Sequence, residues 1–245
     1  MVRPPRPRVT EPQVFGSIKQ GNFWVEYPSG LVDLTRASPL TTNQLKQIDV
    51  PAKTEGQLDI PVNGDRTIRV DMKQSAFVII DMQKNWGLTS KEITILPPAL
   101  ARSFTRNASG GFGSDMGGNW GPLLLRGSRN ADLYGPLQAE WLNGKELGSD
   151  VWMHKNRMGG LWGPGTALDL YLKEEGIKTL FFAGVNTDQC VLGTLVDAYF
   201  TGYDVVIVMD ATATGSPEGG LSNVLYNGEG SYGFVTDSAR ISQAA

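Results

Sequence analysis

A chain of 245 residues is one domain, or one with an added arm, because a single core stops growing only near roughly 250–300 residues. With 40% hydrophobic residues the chain is not disordered, no apolar run approaches the ~18 residues of a membrane span, and 22 basic against 25 acidic side chains give no electrostatic case for nucleic acid or anionic lipid. One Cys excludes an internal disulfide and any multi-thiolate metal centre, and one His excludes a site built on two or three imidazoles, so chemistry must run on carboxylates, lysines, hydroxyls or a single thiol.

In chain order, Met1–Val9 is basic and Pro-rich and lacks the roughly 7–15-residue apolar stretch of a secretory leader, so a solvated tail and a cytoplasmic location are expected. Residues 1–74 read as an irregular N-terminal arm, in which short apolar patches (Phe23-Trp24-Val25, Ile60-Pro61-Val62, Thr67-Ile68-Arg69-Val70) are cut by Pro, Gly and Asn-Gly-Asp. Residues 75–245 read as the main domain. Ala76-Phe77-Val78-Ile79-Ile80 is a continuous apolar run, the pattern of a strand buried in a parallel sheet, with Asp81 at its exit. A second strand is expected over Asp150–His154, with Lys155 at its end. Thr166–Glu175 has helical period, with Leu168, Tyr171 and Leu172 on one face and Gly176 as the stop. Thr179–Gly184 is a third strand, Cys190–Thr201 a helix with Val191, Thr194, Leu195 and Ala198 on one face, and Asp204–Met209 a fourth strand that ends at Asp210. This alternation predicts an α/β fold with a mainly parallel sheet.

Ligands bind beyond the carboxyl ends of such strands, and Asp81, Lys155 and the Cys190 turn all fall there. Singly, each has a plain explanation: a small buried thiol, a cap, a solvated charge. Together they point to a site, and the first turn of a helix favours a thiolate.

The strings Val78-Ile79-Ile80-Asp81-Met82-Gln83, His154-Lys155 and Ala183-Gly184-Val185-Asn186-Thr187-Asp188-Gln189-Cys190-Val191, followed by Asp197-Ala198 and Gly202-Tyr203-Asp204-Val205, resemble the isochorismatase-like cysteine hydrolases over roughly residues 75–240. The resemblance implies a Rossmann-like three-layer α/β/α sandwich and a catalytic set of Asp81, Lys155 and Cys190. It also implies a cis peptide between Val185 and Asn186, and an oxyanion hole made by the N–H groups of Asn186 and Cys190. Isochorismatase itself cleaves a vinyl ether without this cysteine, so the resemblance with Cys190 present implies hydrolysis of a C–N bond in a small amide, ureido or carbamoyl compound through a thioester. Nicotinamidases of this superfamily commonly hold a metal with an Asp and two His. With His154 the only histidine that set cannot be assembled, so no metal and no cofactor are expected. Relatives are commonly dimers or tetramers, which implies a homo-oligomer.

Trp86, Trp120 and Trp162 flank the expected pocket and read equally as walls around the substrate or as ordinary packing. Gly111–Gly117 follows no strand and opens no helix, so it reads as a flexible loop and not as a nucleotide cradle. Asp210 reads as a structural hydrogen-bonding residue. One departure stands out. In the family a long helix and a second strand follow the Asp-bearing strand, whereas here Asp81-Met82-Gln83-Lys84 runs straight into Asn85-Trp86-Gly87-Leu88-Thr89, and residues 89–149 are Gly-, Asn- and Pro-rich with only Ile93–Phe104 weakly helical. The chain thus reads as a shortened form that lacks one αβ unit, with an apolar strand edge laid open. A non-catalytic relative inactivated by that loss is the alternative; a flavin- or nicotinamide-binding reductase on a similar sheet is a remoter one.

Overall fold

The computed structural model describes residues 6–37, 50–84, 122–155 and 157–245. Residues read as an irregular arm carry five strands in one mixed sheet: β1 (Gln13–Ser17), β2 (Asn22–Glu26), β3 (Leu31–Asp33), β4 (Gln57–Val62) and β5 (Arg66–Asp71), in the order β1-β2-β3-β5-β4. Gly64 (φ 77°) and Asp65 (φ 62°) reverse the chain between β4 and β5, which explains why the Asn-Gly-Asp punctuation lies there. The fully buried carboxylate of Glu26 is paired with Arg66 at 3.0 Å and with Arg6.

The main sheet is parallel throughout, in the order β6-β7-β8-β9, from β6 (Ser75–Ile80), β7 (Thr179–Val185), β8 (Asp204–Ala213) and β9 (Phe234–Thr236). Around it lie α1 (Leu137–Leu147), α2 (Ala167–Glu174), α3 (Leu192–Thr201), α4 (Gly220–Asn227) and α5 (Ser238–Ala244). On one face Leu180, Phe182, Val205 and Ile207 pack against Leu172, Leu195, Ala198 and Val224 from α2, α3 and α4. On the other, Phe181, Val206 and Val208 pack against Ile60, Val62, Ile68 and Val70 of the N-terminal sheet and against Ile241 of α5. The second cover is therefore mostly a sheet, and a buried ion pair from Arg36 to Asp204 at 2.6 Å ties it to the start of β8. No helix among the described residues is long and apolar enough to cross a membrane.

The α/β reading of the main domain holds, with corrections in detail. Residues 151–155 join no strand. Among the described residues β6 carries no partner on its outer edge, so there is no ladder for them to extend. Trp152 instead packs edge-on against Trp141 of α1 at 4.8 Å and stacks on His154 at 5.9 Å. α1 itself stands in a stretch read as loop, closed by Gly148 in the left-handed conformation. The helix expected from Cys190 becomes regular only at Leu192, after a wider turn over Thr187–Val191. β8 runs on to Ala213, with a register shift that places Thr212, and not Met209, beside Gly184. Phe77 and Ile79 on β6 are each 56% exposed, on the face where Phe181 of the neighbouring strand is covered. Trp86, Trp120, Ile93–Phe104 and Gly111–Gly117 lie outside the described residues.

Candidate active site

Two strand ends meet because one residue has no side chain. Gly184, near the end of β7, has φ 105°, and a Cβ there would stand 2.1 Å from the carbonyl oxygen of Ile80, so the backbones of β6 and β7 close up as only glycine allows. Asp81 follows Ile80 with φ 55°, a conformation uncommon outside glycine, which turns the chain sharply at the strand exit. Across from it the peptide between Val185 and Asn186 is cis, and the turn Thr187–Val191 brings Cys190 round to the same place.

The result is a compact group of three. Lys155 Nζ lies 2.8 Å from Asp81 Oδ2, with the carboxylate side chain 8% exposed. The Asp81 carboxyl and the backbone N–H of Asn186 both act on the Cys190 thiol, the carboxyl favouring its protonated form and the N–H its thiolate. Lys155 also donates to the carbonyl of Arg157 at 3.0 Å, and Gly160 further along donates to Thr194 Oγ1, whose hydroxyl donates to the carbonyl of Cys190 at 2.8 Å. The loop that carries the cation is thus pinned to the helix that follows the thiol.

The electrostatics of the group correct one expectation. Burial first, and the Asp81 carboxylate second, push the Cys190 thiol up to about 12, more than Lys155 and the Asn186 N–H can offset. A resting thiolate, expected from a helix start, is replaced by a neutral S–H held against a carboxylate. Burial also raises the Asp81 carboxyl above its usual range, against the pull of Lys155 and the bonds from Lys155 and Cys190. His154 is held below its ordinary value by burial and by the Arg126 charge, so the imidazole next to Lys155 is neutral at pH 7.

Asp81, Lys155, Asn186 and Cys190 are therefore together. Trp162 is half-exposed, its ring beneath the Arg157 guanidinium at 5.5 Å. Asp210 accepts from the backbone N–H and the hydroxyl of Ser238 at the start of α5. Thr187, part of the string that leads into Cys190, is joined by residues not singled out from the sequence: Thr212, Thr214 and Ser216, whose hydroxyls bond around the Cys190 turn. Their only sequence signal is the alternation Thr212-Ala213-Thr214-Gly215-Ser216 after an apolar strand. Among the described residues no three His, Cys, Asp or Glu side chains gather as a metal site would require.

Known proteins share this arrangement of sequence and fold. Ureidoacrylate amidohydrolase RutB of Serratia proteamaculans is 35% identical over 117 residues, 48% of this chain and 44% of that protein. RutB of Caulobacter segnis is 34% identical over 119 residues, 49% of this chain and 46% of that protein. The chain spans about half the length of the curated relatives it matches. The crystal structure of nicotinamidase PncA from Bacillus subtilis is similar with a TM-score of 0.51 and 26% identity, covering 67% of this chain and all of that one. The isochorismatase domain family matches residues 75–240, from the first residue of β6 into α5, and the chain belongs to that family.

Proposed function

We propose that this protein is a cysteine hydrolase that cleaves a C–N bond in a small amide, ureido or carbamoyl compound through a thioester on Cys190. One observation carries the reading: the only thiol of the chain stands against a buried carboxylate that is itself ion-paired with Lys155 at 2.8 Å, at the carboxyl ends of parallel strands. The ureidoacrylate amidohydrolases and the nicotinamidase among its relatives support the bond type. Residues 75–245 carry the site in this reading, with residues 1–74 as a cover on the sheet.

Because the thiol rests protonated, attack and proton transfer are coupled. The S–H proton passes to Asp81 as Sγ bonds to the carbonyl carbon, and the backbone N–H groups of Asn186 and Cys190 stabilise the oxyanion. Asp81 then gives that proton to the departing nitrogen, the C–N bond breaks, and ammonia or an amine leaves the thioester. Water attacks the thioester carbon while losing a proton to Asp81, the C–S bond breaks, and Asp81 returns the proton to sulfur with release of the acid. Lys155 keeps Asp81 ionised enough to act as base in a site whose burial favours the neutral acid. Trp162, on this reading, offers an aromatic wall at the rim.

The test is ammonia release across a panel of ureido, carbamoyl and simple amide compounds, with intact-mass detection of an acyl adduct. Cys190→Ala is expected to lower turnover about 10⁴-fold or more and to abolish the adduct. Turnover unchanged in that variant removes the proposal. A second reading, a non-catalytic assembly subunit, draws on the exposure of Phe77 and Ile79 along β6. Silence of the folded wild type across the panel, together with sedimentation as an oligomer, would favour it.

A further inference from the structure

Four successive residues lead into Cys190, and each is held by the same short segment at the end of β8 and just beyond it. Asn186 Oδ1 accepts from the backbone N–H of Gly215 at 3.3 Å. The Thr187 and Thr212 hydroxyl oxygens lie 2.8 Å apart, and Asp188 Oδ1 accepts from the Thr214 hydroxyl at 2.5 Å. Gln189 Nε2 donates to Ser216 Oγ at 3.1 Å. The next side chain, Cys190, faces Asp81 instead.

Thr212 is the innermost member. Its hydroxyl donates to the carbonyl of Gly184 at 2.9 Å, and since a hydroxyl has one proton, the proton in the contact with Thr187 must come from Thr187. The order Thr187 to Thr212 to Gly184 is thus fixed by donor counting, and it bridges the last part of β7 to the start of the thiol turn. Both threonines are buried, so neither hydroxyl can exchange its partner for bulk water. The β8 register shift makes this possible, because an unshifted ladder would put Met209 beside Gly184. Thr214 is used twice, donating to Asp188 and accepting the backbone N–H of Ser216, which stiffens the segment itself.

We propose that Thr212–Ser216 is a clasp that sets the position of the thiol, and that Thr212 is a positioning residue for the reaction, acting through Thr187 and Gly184 and not through substrate. The proposal rests on the reading of Cys190 as nucleophile, but its test does not require turnover. Were the clasp loosened, Cys190 would move away from Asp81 and toward water, so the two influences that hold its proton on would weaken. The charged groups facing the thiol are Asp81 beyond β6 and Lys155, while Asp188 on its own turn is engaged by Thr214.

Cys190 is the only thiol, so iodoacetamide alkylation followed by intact mass across pH reports on it alone. Thr212→Val keeps the shape and removes the hydroxyl. It is expected to lower the pH midpoint of alkylation by at least about one unit, which is about tenfold faster alkylation at pH 8, while hydrolysis of the panel slows. Thr212→Ser restores the hydroxyl and is expected to keep the wild-type profile. A wild-type alkylation profile in folded Thr212→Val, even with a lower melting temperature, overturns the proposal, because a merely structural threonine would behave so. If Thr212→Val does not fold, Thr214→Val at a half-buried position is expected to shift the midpoint in the same direction by less, and an unchanged profile there overturns the proposal. Inertness of the wild type toward every substrate would sink the hydrolase reading, while the alkylation contrast would still decide the clasp.

Discussion

β6 and β7 are neighbouring parallel strands that each deliver half of the candidate site, and they are built to different standards. All seven residues of β7 are buried, and the turn beyond it is braced residue by residue from the end of β8 and the residues that follow it. β6 has apolar residues at the same density, yet Phe77 and Ile79 stand half in water, and the Lys155 that completes its site arrives on residues that join no strand. The thiol half rests on a covered strand and on that bracing. The carboxylate half takes its order from one glycine-permitted approach, one ion pair and the Gly160–Thr194 bond. Proximity of the three groups therefore depends on local polar contacts on both sides, backed by a fully covered strand only on the thiol side.

That contrast can be broken at either half. Lys155→Met removes the only ion-pair partner described for Asp81 and is expected to lower kcat/KM about 10²-fold or more, without unfolding the protein. With the cation gone the Asp81 carboxyl rises further, so the acid limb of the pH–rate profile should move to higher pH; a limb that stays in place would show that Asp81 is not the group it reports. On the packed side, Phe182→Ala empties a fully buried position and is expected to cost about 3–5 kcal/mol in urea unfolding. Phe77→Ala, which loses a half-exposed ring stacked on Phe181 at 5.1 Å, is expected to cost only about 1 kcal/mol. Equal costs at the two positions would show that β6 is as well covered in solution as β7.

The same contrast governs what could be read from the residues. β6, β7 and β8 are legible because continuous apolar runs need no partner to declare themselves, and α2 and α3 are stopped by Gly176 and Gly202. α1 is not, because Asn143 and Gly144 interrupt it and its exposed Leu142 and Leu147 blur any apolar face. The N-terminal sheet hides for another reason: β3 is three residues long and pairs in parallel with β5, Leu31 with Thr67 and Asp33 with Arg69, a distant partnership no local pattern encodes. At the site, Asp81 and Cys190 mark strand and helix ends and can be found by position. The clasp could not be found so, since Thr212 faces Gly184 only because the ladder slips. Nor could the protonation of the thiol, which turns first on how deeply the sulfur is buried and then on the Asp81 carboxylate that the fold sets beside it.

The smallest effect bears most directly on the carboxylate half. Burial lifts the folded-state titration of Asp81 above that of the unfolded chain, so over the interval between the two the folded state binds more protons. The bound proton contributes stability that is complete below the unfolded carboxylate value, about pH 4, and is lost as the pH rises through the folded one. At pH 7 the burial of this carboxyl group is then a net cost to the fold relative to pH 4, even with Lys155 beside it. Asp81→Asn carries no such charge. Its melting temperature is expected to exceed that of the wild type at pH 7, with the difference shrinking toward pH 4, while hydrolysis of the substrate panel is lost. A variant less stable than the wild type at pH 7 would mean that the ion pair with Lys155 outweighs the burial of the carboxylate, and that the weakly covered half of the site is held together by charge.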